Sequence, residues 1–105
     1  MATVDQRLLA ASEMIIPNGA VADIGTDHGL LPCFLIEKGL VPQVIATEWG
    51  DGPYQRACNR IGNSPCSSHI SVRQGYGLEP LAPGEVETVV IMGMGGDLVA
   101  EIMSQ

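Results

Sequence analysis

A chain of 105 residues has room for one small domain and no more. Hydrophobic residues make up 46% and charged residues 16%, which excludes a disordered chain, and a net charge of −7 opposes nonspecific attraction to nucleic acid or anionic membrane. Its three cysteines, Cys33, Cys58 and Cys66, show no Cys-x-x-Cys spacing, which argues against a disulfide framework or a structural metal site and for reduced thiols.

The opening "MATVDQRLLAASEM" carries Asp5 and Arg7 and no signal-like apolar region. With apolar runs such as "GLLPCFLI" too short to span a bilayer, a cytoplasmic protein is expected. Capping-box spacing from Thr3 to Gln6 and an apolar stripe through Ile15 predict a helix over 4–15, ended by "PNG". "AVADIG" at 20–25 predicts a short buried strand. A helix follows, with Pro32 in its first turn and Gly39 as its stop. "QVIATEW" at 43–49 is the second predicted strand. "DGPYQRACNRIG" then predicts a helix capped by Asp51 and ended by Gly62, with Arg56 and Arg60 on one face. "ISVRQG" at 70–75 and "ETVVIMG" at 87–93 are the third and fourth strands, joined by a loop through "GYGLEPLAPGE". The final "GGDLVAEIMSQ" predicts the start of another helix. Apolar strands alternating with helices imply a parallel α/β sheet buried on both faces.

Ligands of such sheets bind beyond the carboxyl ends of the strands. Each predicted strand here ends in a chemically loaded segment: "DIGTDHG", "TEWGDGP", "RQGYG" and "IMGMGG". Gly25 permits a sharp turn and Gly29 a close backbone approach. Glu48 ends the second strand 25 residues after Asp23, where a carboxylate can accept hydrogen bonds from two ribose hydroxyls. A dinucleotide loop would need Gly-x-Gly-x-x-Gly, but this chain has Asp27 between Gly25 and Gly29. An aspartate there repels pyrophosphate, which disfavours NAD, and attracts a sulfonium. A ribose-bearing, cationic, phosphate-free ligand is S-adenosylmethionine.

The combination of "DIGTDHGLLP", "DGPYQRA", "HISVRQGYGLEPL" and "VVIMGMGGDLV" resembles the bacterial tRNA (adenine-N1)-methyltransferases of the TrmK family, over essentially the whole chain. The resemblance implies a Rossmann-like class I methyltransferase fold, with only its first four strands present, in the order 3-2-1-4, and therefore incomplete. It also implies transfer of a methyl group from S-adenosylmethionine to N1 of adenine 22 in tRNA. The later strands and a helical C-terminal domain of that family have no counterpart here, so tRNA is expected as a partner of the full-length protein. Carried over position by position, Asp23, Gly25, Asp27 and His28 form the first cofactor loop, and Glu48 holds the ribose. Asp51 lines the second loop, with Gly52 and Pro53. Gly75, Tyr76 and Gly77 border the adenine, and Gly93 borders the cleft where methyl and base meet, with Met94, Gly95 and Gly96. The family usually reads "QGDG" where this chain reads "QGYG", so Tyr76 replaces an acceptor with a ring and a hydroxyl.

Adenine N1 attacks without prior deprotonation and becomes cationic, so a carboxylate beside it would stabilise the transition state. Asp27 is the first candidate for that role and His28 the second, as an orienting or proton-handling group. Asp27 equally suits a helix cap, and His28 a structural hydrogen bond. An alternative is a noncatalytic S-adenosylmethionine-binding module or a truncated fragment. In the complete fold the fourth strand is interior, so here its outer edge is expected to be open and to invite association.

Overall fold

The computed structural model describes residues 19–26, 30–92 and 98–102. Within them run β1 (Val21–Ile24), α1 (Leu30–Glu37), β2 (Val44–Glu48), α2 (Asp51–Gly62), β3 (Ile70–Gln74), β4 (Thr88–Met92) and β5 (Leu98–Ile102). The helix expected over 4–15 lies outside the described residues.

Strands β3, β2, β1 and β4 are parallel and lie in that order, as expected, with β5 added beyond β4. The alternation of side chains along the strands divides the core in two. Val21, Val44, Ala46, Ile70 and Val90 pack with Leu31 and Leu35 of α1 and Ile61 of α2. Ala22, Ile45 and Val89 face the other way and pack with Val86 and Leu81 of the irregular crossover between β3 and β4. Both helices therefore cover one face of the sheet. The crossover covers part of the other with successive turns, and no helix forms between β3 and β4.

The helix ends show which local signals hold. Gly39 takes φ +68° after α1; its N–H donates to the Ile36 carbonyl and the Leu40 N–H to the Leu35 carbonyl. That pair of bonds is a Schellman cap, which a glycine adopts without Cβ strain. At α2 the expected cap is displaced by one residue. Gly50 is the N-cap, with no side-chain hydrogen bond, and Asp51 is the first helical residue. The Asp51 carboxylate is instead engaged by Gln74, while its charge still suits the helix N-terminus.

The expected helix at the end of the chain is overturned. Leu98–Ile102 forms β5, antiparallel to β4, with Thr88 opposite Ile102 and Met92 opposite Leu98. The outer edge of β4 presents backbone donors and acceptors, and the segment next in the chain satisfies them. The helix propensity of Leu, Ala, Glu and Met amounts to tenths of a kilocalorie per residue, and a helix this short is marginal without packing. The same pairing removes the open fourth-strand edge on which association was expected.

Candidate functional site

The strand register aligns three carboxyl ends. Ile24 pairs with Thr47, and Glu48 with Gln74. Beyond the ladder, the Thr47 carbonyl accepts the N–H groups of Gly25 (2.9 Å) and Thr26 (3.1 Å), and the Glu48 carbonyl accepts that of Gly75 (3.0 Å). The turns after β1 and β3 are thus both tied to the tip of β2.

Gly25 has φ +70°, a conformation open to glycine at no steric cost. A Cβ built there would lie 3.6 Å from Glu48 Oε1, so the Glu48 carboxylate sits directly across from the turn. Glu48 is half-buried, Asp23 is buried one strand over, and Thr26 beside Gly25 is buried too. The third loop is shaped by Gly75, where a Cβ would overlap Pro80 Cγ and lie 3.0 Å from Pro80 Cδ. Only a glycine lets Pro80 fold back onto the end of β3. Gly77 follows at φ +58°.

Trp49 and Tyr76 stand at the mouth of this edge, 69% and 63% exposed, with ring centroids 5.3 Å apart in an edge-to-face arrangement. Tyr76 therefore contacts the tip of β2 through Trp49. The structure brings Asp23, Gly25, Glu48, Asp51, Gly75, Tyr76 and Gly77 to one edge of the sheet. Asp27, His28 and Gly93 lie outside the described residues.

Two residues of β3 make contacts that were not foreseen. Gln74 Nε2 donates to Asp51 Oδ1 (2.6 Å) and to the Trp49 carbonyl (3.1 Å). Arg73 makes a bidentate pair with Glu85 (2.7 Å for each bond) and donates to the Pro80 carbonyl (3.0 Å). The Arg73 guanidinium, helped by the Ala82 N–H, lowers the Glu85 pKa to about 2, and Glu85 in turn raises that of Arg73. Away from the edge, burial raises the pKa of the Cys66 thiol, and a hydrogen bond with Cys58 raises that of Tyr54. Among the described residues, no group of three or more His, Cys, Asp or Glu side chains could hold a metal ion, and no helix is long and apolar enough to cross a membrane.

The family described as a methyltransferase domain matches residues 4–105. Over 101 residues the chain is 46% identical to the tRNA (adenine(22)-N(1))-methyltransferase of Bacillus subtilis (strain 168), covering 95% of this chain and 42% of that protein. The crystal structure of B. subtilis TrmK, a tRNA methyltransferase, superposes with a TM-score of 0.81 at 40% identity, covering 85% of this chain and 38% of that one. A Streptococcus pneumoniae structure in complex with S-adenosyl-L-methionine gives 0.79 at 30% identity, covering 90% and 44%. M. capricolum TrmK in complex with S-adenosyl-homocysteine gives 0.73 at 27% identity, covering 89% and 42%. The chain spans less than half the length of each of these relatives.

Proposed function

Because this chain belongs to the methyltransferase-domain family, we propose that its carboxyl-edge cleft binds S-adenosylmethionine for methyl transfer to N1 of an adenine in tRNA, adenine 22 in the B. subtilis relative. The observation that carries the proposal is the Glu48 carboxylate at the carboxyl end of β2, held beside the positive-φ turn at Gly25. When bound, S-adenosylmethionine supplies a methyl group already activated on a sulfonium.

The residues of this chain bind and orient. Glu48 accepts hydrogen bonds from the two ribose hydroxyls, and Gly25 leaves the backbone close to the ligand. Asp23 supports the first loop and Asp51 the second, while Gly75, Tyr76 and Gly77 border the adenine. Asp27 and His28 remain the candidates beside the reacting nitrogen, and Gly93 borders the cleft. Adenine N1 needs no base to attack, so positioning supplies much of the rate and a carboxylate would stabilise the cation that forms. The reading makes this chain the N-terminal portion of a longer cytoplasmic methyltransferase, with tRNA engaged through the remainder.

Calorimetry should show S-adenosylmethionine binding and no comparable NAD binding, with Glu48→Ala weakening the former by about tenfold or more. Tight binding of NAD alone would sink the proposal. Methyl incorporation into tRNA by the full-length protein tests the substrate. A second reading, a noncatalytic S-adenosylmethionine-binding module, is favoured by the net charge of −7, which opposes a polyanionic substrate. Cofactor binding with no methyl incorporation would select it.

A further inference from the structure

The loops after β2 and β3 bound the proposed nucleoside site from two sides, and the sheet stops holding them together once Gly75 N–H has reached the Glu48 carbonyl. Past that point α2 starts at Asp51, while the third loop turns through Tyr76 and Gly77. Gln74 reaches across the gap. Its Nε2 group faces two acceptors, Asp51 Oδ1 and the Trp49 carbonyl, which fixes the orientation of the amide, because its oxygen could satisfy neither. One side chain of β3 thus holds both the backbone and the first helical side chain of the second loop. The edge-to-face contact of Trp49 with Tyr76 spans the same two loops.

We infer that Gln74 is a positioning residue that sets the distance between the Glu48 side and the Tyr76 side of the cleft, and thereby its affinity for the adenosine half of the cofactor. The inference rests on the methyltransferase reading above. Gln74 acts through Trp49 and Asp51 and does not itself contact the ligand. Because adenosine is common to S-adenosylmethionine and S-adenosylhomocysteine, loosening the tie should weaken both by the same factor and leave their ratio unchanged.

The test compares the wild-type chain with Gln74→Leu and Gln74→Glu by calorimetry with both ligands. Trp49, the chain's one tryptophan, serves as a fluorescent reporter, and melting is followed in parallel. Gln74→Leu should weaken both ligands roughly 3- to 10-fold at temperatures well below melting. Gln74→Glu places a carboxylate against Asp51, and the two repel at about pH 8. Near pH 5 a proton on the introduced glutamate restores a donor, and the ratio to wild type recovers in part. Glu48 and Arg56 are present in both proteins, so their own effects cancel in that ratio, and what remains reports the pair at positions 74 and 51. Affinities within about twofold of wild type in both variants would overturn the inference and leave the reading standing. Should Gln74→Leu fail to fold, a Gln74→Glu deficit equal at the two pH values would overturn it. A wild-type chain that binds neither ligand would overturn the reading, and the inference with it.

Discussion

Gly75 and Gly77 are two residues apart in the same loop, yet they are glycines for different reasons. At Gly75 the obstacle is Pro80, whose ring occupies the space a methyl group would need, and a proline ring has little freedom to withdraw. At Gly77 nothing lies within 4 Å of a built Cβ, and only the φ of +58° disfavours another residue. Gly75→Ala should therefore cost about 1–3 kcal/mol of stability and displace Pro80, while Gly77→Ala should cost roughly 1–2 kcal/mol and leave the loop in place. Denaturant melts of the two variants, read with Trp49 fluorescence, check the ranking. Equal losses in both would mean that Pro80 yields. A loop through the glycines at 75 and 77 was legible in the sequence, but the partner of Gly75 was not. Pro80 reaches it only because the crossover folds back.

At the scale of elements, signals confined to one helix or strand were readable, and those that depend on a neighbour were not. Gly39 ends α1 through bonds made entirely within its own last turn. Glu48 ends β2 because the apolar run ends there. The tie from Gln74 to Asp51 requires the β2–β3 register, and β5 requires the open edge of β4 beside it. Arg73 and Glu85 are 12 residues apart through a crossover with no regular structure, so nothing periodic announces their pairing. Their clasp, closed by the Pro80 carbonyl and the Ala82 N–H, holds that crossover against the sheet. It also predicts a pH dependence. The folded pKa of Glu85 is lowered from 4.5 to about 2. The stabilisation is therefore complete above the ordinary carboxylate range and is lost as the pH falls from 4.5 towards 2. Both partners are partly exposed, which keeps the effect small. Wild type should melt a few degrees above Glu85→Gln at neutral pH, and the gap should close across that acid window. A gap that is constant down to the lower end would show that the charge pair is not its source.

Over the whole molecule, charge decides what the chain can hold without further sequence. The proposed substrate is a polyanion, yet this chain carries five basic residues against twelve acidic ones. Arg73 is committed to Glu85, and the Lys38 ammonium lies 5.8 Å from the Phe34 ring centroid. Arg56 and Arg60 on α2 are exposed, and Arg7 lies outside the described residues. Two or three available cations support a salt slope of only roughly −2 to −3, and the net charge of −7 works against even those contacts. The proposed cofactor site needs none of this, since in that reading recognition rests on Glu48 and the glycine turns. Cofactor and tRNA binding should therefore separate. The 105-residue chain should retain S-adenosylmethionine at moderate salt while binding tRNA no more tightly than about 10⁻⁴ M. Anisotropy titrations of labelled tRNA across a salt series check this. A micromolar affinity with a steep slope would show that a basic surface for RNA is already present within these residues.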